Sequence, residues 1–274
     1  MKSVLSIAGS DSSGGAGIQA DLKTIEAHHL FGQTAITALT AQNTTGVFGV
    51  FDVAPAFIAQ QIDVVFDDIQ PDAVKIGMVS RAESVHAIVE ALVRNEARNI
   101  VVDPVMVATS GARLIDEEAL AVLRDELIPL ADVITPNMPE AEVLTGMAIR
   151  NPTEQVKAAL LLTGAVTEAS VESAGRRAKA ALVKGGHGNN DANDVLARND
   201  GTTVWFNQER IDTSNTHGTG CTLSSAIACG LAQGLSVEDA VGHAKSYITG
   251  ALSAGLDLGK GSGPMDHMWN NRLV

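Results

Sequence analysis

The sequence predicts an α/β fold built on a mostly parallel sheet, and three observations predict it. Short apolar runs alternate with longer amphipathic segments from the first residue onward, as in a chain of strand–helix units. Nearly every apolar run ends in glycine, polar or charged residues, as at Gly9-Ser10-Asp11, Gln42-Asn43-Thr44 and Asp103-Pro104. With 274 residues and 45% hydrophobic content the chain can bury one large core. No linker, internal repeat or low-complexity segment divides it, so 1–274 is expected to form a single domain.

Strands are expected at residues 4–8, 35–41, 73–76, 100–102, 133–135, 180–183 and 203–206, each a run of apolar, mostly β-forming residues. Helices are expected at 16–28, 56–66, 82–95, 117–127, 140–144, 153–162 and 222–233. A last helix starts at Ser236-Val237-Glu238-Asp239, which resembles a capping box, and runs to about Ala254. Residues 47–53 alternate poorly and are expected to form a strand outside the main sheet. The stretch 144–181 holds two helical candidates split by Gly164, the second starting at Thr167-Glu168. Residues 185–194 form a polar, Asn-rich turn.

The charge balance, 19 basic against 32 acidic side chains, leaves a net −13. A nucleic acid or an anionic membrane would be repelled over most of such a surface, so neither is an expected partner, and any bound anion must be held by a local site. Aromatic residues are only 3% of the chain, too few for base-stacking platforms. Cys221 and Cys229 lie eight apart on one predicted helix. That is roughly 12 Å along the axis, too far for a disulfide, which fits a reducing compartment. The N-terminal apolar run is too short for a signal peptide or a membrane span, and the expected location is cytoplasmic.

The stretch Asn215-Thr216-His217-Gly218-Thr219-Gly220-Cys221-Thr222-Leu223-Ser224 sets a Gly/Thr turn in front of an Ala-rich helix. A helix start has unpaired N–H groups and a partial positive charge, and glycines let an anion approach the backbone, so a phosphoryl nest at Gly218, Thr219 and Gly220 follows. An ordinary Gly-containing loop before a core helix is the alternative. Cys221 at the same helix start would have its thiolate stabilised.

In an open parallel sheet, ligands bind beyond the carboxyl ends of the strands. Lys184, after the apolar run at 180–183, is the natural point charge for a transferring phosphate. Asp103 and Glu140 are hard oxygen ligands suited to Mg²⁺. Lys184 at a solvated strand end and Glu140 as an acid in a helix first turn are the structural alternatives. Gly15-Ala16-Gly17-Ile18-Gln19-Ala20 fits the dinucleotide fingerprint, yet it begins seven residues past the strand and lacks its acidic partner. Gly9 to Gly14 begins like a P-loop but has Gly15-Ala16 where Lys and Ser/Thr are needed. The histidines show no zinc spacing. His217 could orient the anion turn or simply pack, and Cys229 is most simply core.

Together, Ala8 to Thr24, Ala41-Gln42-Asn43-Thr44, Lys75-Ile76-Gly77-Met78, Thr135-Pro136-Asn137, Lys184-Gly185-Gly186-His187 and Asn215 to Ser224 resemble the hydroxymethylpyrimidine/phosphomethylpyrimidine kinases of thiamine biosynthesis. The resemblance runs in register from about Val4 to Pro264, though 146–180 aligns poorly and the tail from Gly261 to His267 only loosely. It implies a ribokinase-like three-layer α/β/α sandwich with a central mostly parallel sheet, a homodimer, ATP and Mg²⁺ as cofactors, and a small pyrimidine as substrate. By motif, Gln42 would read the aminopyrimidine, with Gly9, Ala16, Met78 and Val105 around the ring. Asn137 and Glu140 would order Mg²⁺ and its water near the nucleotide phosphates, with help from Asp103. Lys184 would neutralise the transferring group, and Gly218, Thr219 and Gly220 would form the anion hole. Cys221 stands where sugar-kinase relatives carry an aspartate base, and a helix N-terminus could lower its pKa for that task. The family's second reaction, onto a phosphate, needs less of a base.

Two alternatives remain at this level. A pyridoxine/pyridoxal kinase would share the scaffold, but the Gln42 amide suits an aminopyrimidine better. A cysteine-dependent hydrolase with His217 as partner, or a non-catalytic small-molecule binding protein, would use the same pocket differently.

Overall fold

The structure, a computed structural model, describes residues 1–107, 115–166, 177–186 and 192–270. Nine strands form one sheet in the order β3-β2-β1-β4-β5-β6-β7-β8-β9. The chain begins with β1 (Ser3–Asp11), α1 (Gly17–Ala27), β2 (Phe31–Asn43), β3 (Gly46–Asp52) and α2 (Pro55–Asp68). It continues through β4 (Ala73–Ile76), α3 (Ala82–Arg94), β5 (Ile100–Val102) and α4 (Glu117–Val122). Next come β6 (Val133–Ile134), α5 (Met138–Thr145), α6 (Pro152–Thr163), β7 (Ala180–Val183), β8 (Asp194–Arg198) and β9 (Thr203–Phe206). Helices α7 (Thr219–Ala232) and α8 (Val237–Ser253) close the order.

The central strands from β2 through β1, β4, β5 and β6 to β7 are parallel. The outer pairings of β2 with β3, β7 with β8 and β8 with β9 are antiparallel. Successive strand residues bury opposite faces, as a pleat requires. Leu5, Ile7, Val74, Ile76 and Val102 pack towards α2 to α6. Val4, Ala73 and Val101 pack towards α1, α7 and α8. The result is the expected three-layer α/β/α sandwich. Strand β1 lies between β2 and β4, so the chain leaves it in both directions and opens a crevice at its carboxyl end.

Several elements differ from expectation. Residues 47–53 are not outside the sheet. They make β3, which pairs from Ala38↔Asp52 to Asn43↔Gly46 with the far half of β2, a strand long enough to extend beyond the parallel core. The expected helix 117–127 changes pitch after Val122, with a wider turn at Leu123–Leu127 and a tighter one at Ile128–Leu130. Strand β8 was not expected, because the polar turn before it leaves only a short apolar signal; its first four residues are buried. Helix α6 ends at Gly164 in the left-handed conformation, as its split from the next candidate required. That second candidate, at Thr167-Glu168, lies outside the described residues, as do His187 and most of the Asn-rich tip.

One buried charge network ties the sandwich together beneath the crevice. Asp21 of α1 and Lys75 of β4 are both 0% exposed. The Lys75 ammonium donates to both Asp21 carboxylate oxygens at 2.9 Å. The same carboxylate accepts from Ser6 of β1 at 2.6 Å and from Ser225 of α7 at 2.8 Å. Asp21 burial is thus satisfied by one charge and two hydroxyls, while removing the ammonium would leave an unpaired buried carboxylate. Lys75→Met is expected to destabilise the protein by about 3–5 kcal/mol in chemical denaturation. Pairing it with Asp21→Asn should recover most of that loss, and a single variant as stable as the parent would show that the pair does not hold these elements.

Candidate active site

The crevice at the carboxyl ends of the strands is a cavity of about 710 Å³. Its lining includes Gly9, Ala16, Gln42, Met78, Asp103, Val105, Asn137, Glu140, Lys184, Gly218, Thr219, Gly220 and Cys221. Every site residue expected from the sequence therefore meets in one place, although they come from eight separate stretches of chain.

The cavity is built from two loops locked together. Gly218 has φ of +84°, a region open to glycine, and a Cβ there would collide with the carbonyl oxygen of Gly15. Its carbonyl accepts the first helical bond of α7, from the Thr222 amide at 2.9 Å. The Thr219 amide and hydroxyl both turn back to the Thr216 carbonyl, at 3.3 and 2.7 Å. Helix geometry leaves the amides of Gly220 and Cys221 without an intrahelical acceptor, and among the described residues no side chain caps this start. Helix α8, by contrast, is capped by Ser236, which accepts from the Asp239 amide at 3.1 Å. The open mouth of α7 is the arrangement an anion site needs.

Lys184 faces that mouth. Its Nζ lies 3.5 Å, and Asp103 Oδ2 3.0 Å, from where a Cβ on Gly220 would stand. The Lys184 backbone amide bonds to the Pro136 carbonyl at 2.9 Å, which fixes the strand end, and the ammonium donates to Asp103 Oδ1 at 3.1 Å. Thr135 donates to the same oxygen at 3.0 Å. Burial works against the Lys184 charge, but the Asp103 and Glu140 carboxylates outweigh it, and the group is held more firmly protonated than a free lysine. It is not a solvated strand end.

Glu140 takes up the helix-start role considered for it and also lines the cavity. With Asn137 it closes a capping box: the Glu140 amide donates to Asn137 Oδ1 at 2.9 Å, and the Asn137 amide donates to Glu140 Oε2 at 2.8 Å. The Asn137 oxygen thus gives one lone pair to the helix, and its second lone pair and its amide nitrogen remain for other contacts. Burial, and then the charge on Asp103, raises the Glu140 carboxyl above the usual range, with Lys184 opposing. Two hard carboxylates crowded at one wall suit a divalent cation that keeps most of its own water and phosphate ligands. Among the described residues no cluster of three or more acidic, His or Cys side chains forms an all-protein metal cage.

Cys221 corrects an expectation. The thiol is not activated by its place at the helix start: burial pushes it up to about 11, and Asp21 and Asp103 add to that, against Lys75 and a backbone hydrogen bond from Gly17. Loss of hydration outweighs the helix dipole here. Cys229, two turns on, is fully buried core, and neither cysteine is bridged.

Asp11 was not singled out from sequence, and its partner His217 was weighed only as a residue that orients the anion turn, packs, or pairs with Cys221. Asp11 is buried at the end of β1, and its carboxylate accepts from the amides of Ser13, Gly15 and Ala16 and from His217 Nε2 at 2.8 Å. Burial alone would raise its pKa, but these donors hold it well below the usual carboxylate range. Asp-x-Ser-x-Gly after a strand is a recognisable loop-bracing signal, whereas the His217 contact spans most of the chain. Among the described residues the His217 hydrogen bonds run to Asp11 and Gln42, not to Cys221, so the His–Cys pairing of a hydrolase is not formed.

The family model described as phosphomethylpyrimidine kinase matches residues 11–266. A Rhizobium meliloti protein named hydroxymethylpyrimidine/phosphomethylpyrimidine kinase is 49% identical over 269 residues, covering 96% of each chain. The thiamine biosynthesis bifunctional protein ThiED of Geobacter sulfurreducens is 48% identical over 97% of this chain, which spans 52% of that longer protein. Among solved structures, an ADP complex of Bacillus subtilis pyridoxal kinase superposes with a TM-score of 0.87 at 35% identity, covering 98% of each chain. With a ribokinase-like sandwich, an open helix mouth facing a lysine, and these similarities over nearly its full length, the chain is a kinase and belongs to the phosphomethylpyrimidine kinase family.

Proposed function

We propose that the protein phosphorylates 4-amino-5-hydroxymethyl-2-methylpyrimidine with ATP, and then phosphorylates the monophosphate to the diphosphate, in thiamine biosynthesis. The observation that carries this reading is the meeting of the α7 mouth, the Lys184 ammonium and the Gln42 amide in one cavity. Phosphoryl transfer asks a protein mainly for alignment and charge neutralisation.

The pyrimidine ring lies among Gly9, Ala16, Met78 and Val105, with Gln42 pairing to its amino group and ring nitrogen. The γ-phosphoryl of ATP sits between Lys184 and the amides of Gly220 and Cys221, with Gly218 and Thr219 shaping the turn. Asp103 holds the ammonium in place, and Asn137 braces Glu140. Mg²⁺, when bound, neutralises phosphate charge, and Asp103 and Glu140 are the residues that would hold it, directly or through water. In the first reaction the substrate oxygen bonds to the γ-phosphorus, the bond to ADP breaks, and the hydroxyl proton passes to Cys221 as thiolate. In the second, the attacking phosphate oxygen is already anionic and needs no base. The ADP complex of the pyridoxal kinase relative supports ATP as donor.

We also read the chain as a homodimer formed at the free edge of the sheet. On β3, Phe48 and Phe51 are 71% and 70% exposed, beside exposed Val50 and Leu39, an apolar edge of the kind that a partner covers. Phe48→Glu with Phe51→Glu should sediment as monomer; a monomeric parent would remove the proposal. The unpaired cysteines fit a cytoplasmic setting, and no described helix is long and apolar enough to cross a membrane.

The direct test gives the protein Mg-ATP with either the hydroxymethylpyrimidine or pyridoxal and counts phosphates transferred. Two transfers to the pyrimidine are expected, and turnover of pyridoxal alone would make the chain a pyridoxal kinase. Lys184→Met should lower both steps by about three orders of magnitude or more, while Cys221→Ala should lower the first more than the second. For a thiol pushed up to about 11, the thiolate fraction rises about tenfold with each unit by which the pH is raised towards that value. The first step should therefore accelerate from pH 7 to 10 while the second responds less, and equal pH profiles would remove the base role from Cys221.

A further inference from the structure

The Gln42 amide is held by two neighbours, and their hydrogens decide which way it points. Its Oε1 is placed 3.1 Å from Thr40 Oγ1, and its Nε2 3.4 Å from His217 Nε2. Thr40 Oγ1 also lies 2.9 Å from the Ser10 carbonyl, which can only accept. A hydroxyl has one hydrogen, so once it serves Ser10 it offers Gln42 lone pairs and no donor. The other neighbour is equally constrained. Asp11 is surrounded by N–H and O–H donors from Ser13, Gly15 and Ala16, so its carboxylate is an acceptor, and the His217 Nε2 at 2.8 Å must carry the hydrogen whatever the charge on the ring.

An amide nitrogen facing His217 would therefore oppose two N–H groups, while its oxygen would face a hydroxyl with nothing to donate. Turned by half a rotation, the amide nitrogen donates to Thr40 and the oxygen faces the His217 Nε2–H, whose single hydrogen it shares as the longer branch with Asp11. Both conflicts vanish. One N–H and one lone pair of Gln42 then remain for a ligand, in a fixed order. An aminopyrimidine edge, with an exocyclic amino donor beside a ring-nitrogen acceptor, matches only one order. A pyridoxal ring has no amino donor beside its ring nitrogen.

We infer that Thr40 and the Asp11–His217 pair are positioning residues that lock the Gln42 amide in the one orientation complementary to an aminopyrimidine, and so set substrate choice. This rests on the reading of Gln42 as the pyrimidine contact. His217 is confined at this position, because the edge of its ring lies so close to Gly15 that a Cβ there would strike ring carbon Cδ2.

The test is the ratio of kcat/KM for the hydroxymethylpyrimidine over that for pyridoxal, measured with the KM for ATP. Thr40→Val keeps the shape and removes the acceptor; His217→Phe keeps the ring and removes the N–H. Each should lower the ratio about tenfold, through the pyrimidine KM, with the ATP KM unchanged. Thr40→Ser, which keeps the hydroxyl, should restore the parent ratio. If Thr40→Val and His217→Phe both keep the ratio while Gln42→Met lowers it, the inference is wrong and the reading of Gln42 survives. If Gln42→Met also keeps it, that reading fails and the inference falls with it.

Discussion

The structure depends on the uncapped start of α7. Two things keep it open. The left-handed turn at Gly218 seats against the Gly15 backbone, so the loop after β1 and the turn before α7 are pressed together with no room for a side chain between them. The Thr219 hydroxyl, which could cap the helix, instead turns back to the Thr216 carbonyl. The next two amides have no side-chain cap among the described residues. A helix of fourteen residues ending in a buried apolar face cannot shift to relieve this, because residues Thr222 to Ala232 are packed against the sheet and α8.

Electrostatics around that opening are local and opposed to the chain as a whole. The protein carries a net −13, yet one ammonium faces the opening and another is buried beneath it. Lys184 is balanced by Asp103, and Lys75 by Asp21, so neither cation is an isolated buried charge. At the α7 mouth the Lys184 ammonium and an Asp103 oxygen stand side by side, 3.5 and 3.0 Å from where a Cβ on Gly220 would be. The same arrangement explains why Cys221 is a neutral thiol. It stands partly buried at the cavity wall, where desolvation disfavours its thiolate more than Lys75 favours it.

The fold was legible in the sequence wherever its signal was local. Apolar runs at 73–76, 100–102 and 180–183 are strands at those positions, and the residues after them meet at one crevice because parallel strands all end on the same edge. Strand β3 and strand β8 were misjudged or missed for a shared reason: both are defined by antiparallel pairing with a neighbour, and their own residues alternate weakly. The Gly218–Gly220 turn and Lys184, which we propose hold the phosphate, were equally plain as features, since glycines before a helix and a lysine after a strand are short-range patterns. The site's long-range pairs were not. Asp11 and His217 are 206 residues apart, and Lys75 and Asp21 are 54 apart; no periodicity connects them. Asn137 and Glu140 had the spacing of a capping box in plain view, and the structure uses it as one while leaving Glu140 at the cavity wall. The Cys221 ionisation depends on how dry its surroundings are, which a helix position alone does not convey.

The central claim is that the Gly220 and Cys221 amides and the Lys184 ammonium hold the phosphoryl group in transfer. A crystal structure of the protein with pyrimidine substrate, Mg-ADP and aluminium fluoride, which imitates that group, tests it most directly. The account predicts fluoride atoms within about 3 Å of both amide nitrogens and of Lys184 Nζ. A planar fluoride group bound elsewhere in the cavity, with the α7 amides facing only water, would contradict it.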